Sequence, residues 1–328
     1  MPLARIGDAR DGVLWDDVRV VADEGATEDV RFGWEHWTWD QSLFEGAARY
    51  YRRGRIPYAE GLADSLAKVL ALDGRGRLLD VGCGPGIIAL RLAHLFEAVV
   101  GLDPDAGMLR EALLAAAEEG VGNVSWVCLR AEDLPAGLGK FRVITFAQSF
   151  HWMDRPKVAA AARSMVEPNG AVVQVDPGRD GVGGNAAVGP HPPVPFQEID
   201  GLRRRFLGPD RRAGQGRRNT SPGGEDAIFQ AAGFLPEEQV RVDDTRVLDR
   251  RTDDLVAWVF SASSTAPHLF GNQLARFETD LRALLDQASP SGHFSVPLSD
   301  TTLRIRRPHT PEAPSVSAGN PDIAPSGR

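Results

Sequence analysis

Residues 78–86 read LLDVGCGPG: an apolar run carrying Asp80 passes straight into Gly82, Gly84 and Gly86. Glycines directly after a short apolar strand let the backbone turn tightly and let a ligand come close to it at the strand's carboxyl end. The order is Gly82, Gly84, Gly86 and then Ile87, where a dinucleotide fingerprint wants another glycine. The next apolar run, AVVGLD, ends in Asp103, 21 positions after Gly82. An acid at that distance can accept hydrogen bonds from the two ribose hydroxyls of an adenosine. Turn and acid together point to an adenosine-containing ligand. No GxxxxGK[ST] loop is present, which argues against a nucleotide triphosphatase.

Outward from this turn the pattern alternates. GRLLDVG reads as a strand and GIIALRLAHLF as a helix; AVVGLD is a strand and AGMLREALLAAAEEG a helix. NVSWVCL, FRVITFA and GAVVQVD are further strands, with the helix DRPKVAAAARSMV before the last. Short apolar strands alternating with helices predict a parallel sheet covered on both faces. After Asp176 the alternation stops in a Gly-, Pro- and Arg-rich stretch that predicts one helix near 195–207. GEDAIFQAAGF, TDDLVAWVFSAS and NQLARFETDLRALLDQA then read as helices, EQVRVDDTRVLD as a strand and DTTLRIRR as a last, antiparallel strand.

The expected architecture is α/β: a doubly wound, seven-stranded, mostly parallel sheet with a small cap. Its parts are an N-terminal extension (1–30) of disordered composition, lid helices (31–75), a ligand-binding core (76–176) and an insertion forming a substrate cap (177–226). The rest of the core with cap helices (227–307) and a tail of disordered composition (308–328) follow.

Of the 328 residues, 45 are acidic and 37 basic, a net charge of −8. That balance argues against a general nucleic-acid binder. The two cysteines, Cys83 and Cys128, show no metal-ligand spacing and read as reduced thiols of a cytoplasmic protein. MPLARIGDARDG lacks the layout of a signal peptide, and no apolar run approaches the ~18 residues a membrane span needs. No metal is expected, since Asp176 and Asp180 alone make too few ligands.

LLDVGCGPG, VVGLDPDAGML, RAEDLP and FAQSFHWMD together resemble the class I S-adenosylmethionine-dependent methyltransferases, most closely the methyltransferase type 11 and trans-aconitate methyltransferase-like small-molecule branch. The resemblance covers residues 40–175. It implies S-adenosylmethionine as cofactor. Asp80 and the loop of Gly82, Cys83, Gly84 and Gly86 would hold its amino acid part, and Asp103 its ribose. Pro104 and Met108 would flank the adenine, Ala131 and Glu132 would meet the adenine edge, and Ala147 and Gln148 would approach the methionine portion. YYRRGRIPY resembles the family's lid, in which Tyr51 and Arg55 would close over the cofactor, Arg55 pairing with its carboxylate as a guanidinium fork can.

Methyl transfer needs alignment and exclusion of water, and a base only where the nucleophile is protonated. His151, after the fourth strand, is the candidate base. Against it stands a histidine that only packs or orients a neighbour. Tyr58, Phe150, Trp152 and His191 are candidate substrate residues, with His268 weaker. The turn Ala147-Gln148-Ser149-Phe150 departs from the Asn/Asp-Pro-Pro-Tyr/Phe turn of base-amino methyltransferases. The expected partner is therefore a small-molecule acceptor methylated at oxygen, nitrogen or carbon, with no nucleic acid and no membrane, in a monomer or homodimer. The arginines 203–205, 211, 212, 217 and 218 are either a solvated face or a patch for an acidic substrate. A non-catalytic S-adenosylmethionine sensor or partner subunit is the alternative. An NAD-dependent oxidoreductase has Ile87 against it.

Overall fold

The computed structural model describes residues 18–20, 40–178, 189–210, 212–213, 216–217 and 224–309. Trp34, Trp37, Trp39, Asp180, Arg211, Arg218, most of the 1–30 extension and the tail beyond 309 lie outside the described residues. The strands are β1 (Val18–Val20), β2 (Arg77–Val81), β3 (Ala98–Asp103), β4 (Val124–Cys128), β5 (Phe141–Ala147) and β6 (Val166–Pro177). The short pair β7 (Arg212–Ala213) and β8 (Gly216–Arg217) follows, then β9 (Glu238–Val242), β10 (Val247–Arg251), β11 (His293–Pro297) and β12 (Thr301–Arg306). The helices are α1 (Ala48–Gly54), α2 (Leu62–Leu70), α3 (Ile87–Leu92), α4 (Ala106–Glu119), α5 (Arg155–Met165), α6 (Phe196–Leu207), α7 (Glu225–Ala231), α8 (Thr252–Phe260) and α9 (Leu274–Ala288).

Seven strands form the main sheet in the order β4-β3-β2-β5-β6-β12-β9, with β1 added in parallel at the β4 edge. β2 to β6 pair in parallel, and β12 runs antiparallel to both β6 and β9. This is the doubly wound, mostly parallel sheet expected from the alternation, with the strand order of the class I methyltransferase fold. β2 and β3 are buried almost end to end, as strands covered by helices on both faces must be.

Local chemistry sets the helix boundaries. The Asp105 carboxylate accepts the Gly107 and Met108 N–H groups and so starts α4, and left-handed Gly120 ends it. Asp154 caps α5 by accepting the Lys157 N–H, with Pro156 in the first turn. On α2, Leu62, Leu66 and Leu70 recur every fourth residue and are buried. Each such side chain contributes about 1.5–3 kcal/mol when removed from water.

Two apolar cores cover the two faces of the sheet. One packs α2, α3 and α4 around Leu66, Ile88 and Leu109; the other packs α5 and α7 around Phe146, Val158 and Phe229. A third core lies off the sheet. Leu202, Leu255, Phe260, Phe277 and Phe294 from α6, α8, α9 and β11 build it, and Tyr50 and Ile56 from the α1 segment pack on it. The stretch EQVRVDDTRVLD, expected as one strand, is two. The Asp244 carboxylate accepts the Arg246 N–H and guanidinium, closing a turn that sends β10 out of the main sheet to pair antiparallel with β11. Among the described residues, no helix is long and apolar enough to cross a membrane.

Candidate active site

The strand order reverses between β2 and β5, so the loops after these strands diverge and leave a crevice at their carboxyl ends. A cavity of about 930 Å³ opens there. The turn after β2 forms its floor. Gly82 and Cys83 donate to the Leu102 carbonyl at 2.7 and 3.0 Å, which pulls the turn over the end of β3. Gly82, Gly84 and Gly86 have φ of 69°, 54° and 79°, a region that side chains with a Cβ enter only with strain. The reasons for glycine differ. A Cβ on Gly82 would lie 2.5 Å from that of Ser149, and one on Gly86 would lie 2.6 Å from the Trp126 ring. A Cβ on Gly84 would meet nothing within 4 Å, so that side of its backbone faces open space.

Asp103 closes the end of β3. Its Oδ2 accepts the Gly84 N–H at 2.8 Å and its Oδ1 the Asp105 N–H at 2.9 Å. Each oxygen keeps further acceptor capacity toward the cavity that it lines. Burial outweighs these two donors and pushes the carboxyl up to about 7. A pair of ligand hydroxyls is what this carboxylate lacks, and the open space at Gly84 is a cradle that a Cβ would narrow. The residues therefore fit an adenosine-type cofactor.

Of the expected cofactor residues, Tyr51, Gly82, Gly84, Asp103, Pro104, Met108, Ala131, Glu132, Ala147 and Gln148 all line this cavity. Gln148 sits at φ 56° and donates to Asp176 at 2.9 Å, so its side chain is tied to the end of β6. Glu132 accepts the Asp154 N–H at 2.9 Å, which links the RAEDLP loop to the start of α5. Trp152, expected at the substrate, lines the cavity too. It meets Phe44 edge-on at 6.2 Å, and Phe44 meets Tyr51 edge-on at the same centroid distance. These three rings form one aromatic wall between the α1 segment and the β5 loop.

Other expected residues lie elsewhere. Asp80 is buried behind the glycine turn, where it accepts from the Thr145 hydroxyl at 2.8 Å and the Ala89 N–H at 3.2 Å. Burial pushes it up to about 6. Cys83 and Gly86 face the apolar core beneath the turn. Arg55 does not line the cavity. It stacks over the Tyr51 ring at 4.5 Å and donates from Nη2 to the Ser261 carbonyl at 2.8 Å, while its Nε is buried without a partner. Tyr58 packs against the core, and burial pushes its phenol up. Phe150 stacks on Phe229 at 4.8 Å inside the α5–α7 core. His151 lies against Trp152, ring centroids 4.6 Å apart, outside the cavity lining. His191 sits next to His293, off the main sheet, and His268 Nδ1 meets the Glu45 carbonyl at 3.1 Å. In the arginine cluster, Arg203 and Arg204 are both paired with Asp200, at 2.8 and 2.7 Å.

Ser149 and Met153 also line the cavity and pack on Gly82, and Arg49, Arg130 and Glu111 add charge to its rim. The sequence singles out none of these. Ser149 and Met153 flank the Phe150–Trp152 stretch, a signal that could have found them. The others are ordinary exposed charges until the fold closes.

Residues 78–170 match the family described as "Methyltransferase domain". The chain is 32% identical over 159 residues to a ubiquinone biosynthesis O-methyltransferase of Neisseria meningitidis, covering 48% of this chain and 63% of that one. It is 39% identical over 112 residues to a tRNA (uracil-5-)-methyltransferase homolog of Mus musculus, covering 32% of this chain and 18% of the other. The chain thus spans less than two thirds of these relatives. A solved methyltransferase structure from Anaeromyxobacter dehalogenans covers 78% of this chain and 99% of its own, at 20% identity and a TM-score of 0.46.

Proposed function

We propose that this chain, which carries a class I S-adenosylmethionine-dependent methyltransferase domain, methylates a small-molecule acceptor, in the manner of the type 11 and trans-aconitate-like branch its motifs resemble. The observation that carries this reading is the aromatic wall of Tyr51, Phe44 and Trp152 lining the same cavity as Asp103 and Gly84. A lid lying over the site favours an acceptor that can be enclosed. The acidic surface and the Ala147-Gln148-Ser149-Phe150 turn favour a substrate other than nucleic acid.

When bound, S-adenosylmethionine supplies a methyl group on a sulfonium, so the leaving group needs no protonation. The chain's own residues position and exclude. Asp103 accepts the ribose hydroxyls while its backbone donors hold it in register. The Gly82–Gly84 backbone gives close approach to the amino acid part, and Pro104, Met108, Ala131 and Glu132 form the adenine slot. The aromatic wall keeps water from the transfer path and orients the acceptor. Arg49 and Arg130 at the rim suit an acidic acceptor. His151 acts from behind Trp152, setting the face of that ring. Cys83 and Cys128 are both free, which suits a reducing compartment.

The test is calorimetric titration with S-adenosylmethionine, S-adenosylhomocysteine and NAD, followed by transfer of labelled methyl to a panel of small carboxylic acids and phenols and to transfer RNA. Binding of both sulfur ligands but not NAD, with label in a small acceptor, is expected. Label in RNA alone overturns the small-molecule reading. Binding without transfer to any acceptor points to a sensor, and no binding of the sulfur ligands by folded protein rules out both.

A further inference from the structure

Away from the cavity, three chain segments bring His191, Asp249 and His293 together. The sequence gives no hint of it, because 58 and 44 residues separate them. The antiparallel β10–β11 register pairs Asp249 with Ser295 and Arg251 with His293. Asp249 and His293 therefore sit diagonally on one face of the pair. The segment holding His191 is docked alongside by backbone geometry. The His191 N–H donates to the Ser295 hydroxyl at 3.0 Å, the Ser295 N–H donates to the Pro192 carbonyl at 3.0 Å, and Pro193 bridges to Ser295. Ser295 is buried and serves as the anchor for all three.

The donor atoms converge. His293 Nδ1 lies 2.8 and 3.0 Å from the two Asp249 oxygens, and His191 Nε2 lies 3.9 Å from Asp249 Oδ2. One ligand atom from each residue falls within 4.8 Å of the others. Around a tetrahedral zinc with bonds of about 2.0–2.1 Å, ligand atoms stand about 3.3–3.4 Å apart. The observed separations straddle that value, so small side-chain rotations close the set. No arginine or lysine is ion-paired with Asp249 among the described residues.

We propose that His191, Asp249 and His293 bind a divalent zinc-type ion with a fourth position open to water. Two imidazoles and a carboxylate select borderline first-row ions over magnesium or calcium, which take oxygen ligands. None of the three lines the 930 Å³ cavity, so the ion is a cap element and not part of methyl transfer. It staples the 191–194 segment to the β10–β11 pair. Val194, Leu248, Phe294 and Val296 of the same segments belong to the cap core.

The test uses full-length, tag-free protein stripped with EDTA and dialysed. Zn²⁺ is titrated by calorimetry at pH 7.5, and the Co²⁺ form is examined by visible absorption. One equivalent is expected, with a tetrahedral cobalt band and a thermal midpoint that rises with Zn²⁺ and falls back with EDTA. His293→Ala and Asp249→Asn should each weaken binding by more than the ~10–100-fold that outer-shell changes cost. His94→Ala, at an exposed histidine elsewhere, should leave binding unchanged. S-adenosylmethionine affinity should be the same in all variants. No saturable Zn²⁺ binding by folded protein, or equal affinity in wild type and His293→Ala, overturns the proposal.

Discussion

The Asp103 carboxylate accepts the Gly84 N–H at 2.8 Å, so the acid that ends β3 clamps the glycine turn that ends β2. One contact joins the two sequence features that define the site. Asp103 both holds the turn and lines the cavity.

Removing that carboxylate should therefore be felt mainly in binding. Hydrogen bonds to a charged acceptor contribute about 1.5–3 kcal/mol each. Asp103→Ala should weaken S-adenosylmethionine by at least the about 10–100-fold that one such bond is worth, by calorimetry, with the far-ultraviolet circular dichroism of the variant unchanged. Undiminished affinity would place the ribose elsewhere.

The raised value of Asp103 gives this site a pH dependence of known sign. Burial holds the folded carboxyl at about 7, above its unfolded value near 3.9. Its contribution to stability is then fully present below pH ~4 and lost as pH rises through about 7. Without ligand, Asp103→Asn should gain stability relative to wild type as pH rises from 5 to 8. Ribose hydroxyls favour the ionised carboxylate, so S-adenosylmethionine should bind wild type more tightly as pH rises through about 7 and plateau above it. Titrations in buffers of differing ionisation enthalpy should show proton release near pH 6.5. A flat profile would show that Asp103 is already ionised.

Gly82→Ala tests the floor of the cavity. The substitution meets φ 69° and a Cβ–Cβ distance of 2.5 Å to Ser149. The left-handed conformation costs about 1–2 kcal/mol and overpacking about 1–3 more. A loss of about 2–5 kcal/mol is expected in urea denaturation, together with weakened cofactor binding. Gly84→Ala, with the same backbone strain but open space, should cost less stability.

Arg306 is 1% exposed, donates to the Gln174 side chain at 2.6 Å and pairs with Asp226 and Glu237. Glu237 is also nearly buried. Arg306→Ala leaves that carboxylate with Arg304 as its remaining partner at 2.8 Å, so the loss should fall below the about 3–5 kcal/mol of a fully uncompensated buried charge. Double substitution with Glu237→Gln should recover part of the loss, and full additivity in that cycle would show that the pair is uncoupled.

His151 separates two roles by magnitude. A general base contributes about 10²–10⁴-fold. A ring that only orients Trp152 should cost about tenfold or less in kcat/KM when changed to Ala, and should leave the acidic limb of the pH–rate profile in place. Loss of that limb would make His151 the base.

The core elements were legible because their signals are local. Three glycines, a spaced acid and alternating apolar runs each act over a few residues, and they announced β2, β3, α4 and the doubly wound sheet. The β10–β11 pair was not legible. β10 alternates exposed with half-buried residues, and the pairing spans α8 and α9, more than 40 positions. Arg55 shows the same limit: YYRRGRIPY marks a lid, while the contact with the Ser261 carbonyl depends on where α8 ends.

By itself the sequence determined the alternating strands and helices from β2 to β6 and a glycine turn with a spaced acid at the strands' carboxyl ends, because backbone conformation and hydrophobic period are written residue by residue. Only the tertiary structure decided which side chains share a space. It set Trp152 against Phe44, buried Asp80 behind the turn, moved His151 out of the cavity and joined His191 to Asp249 and His293. Those juxtapositions arise from packing separate segments into common cores, and no spacing along the chain records them.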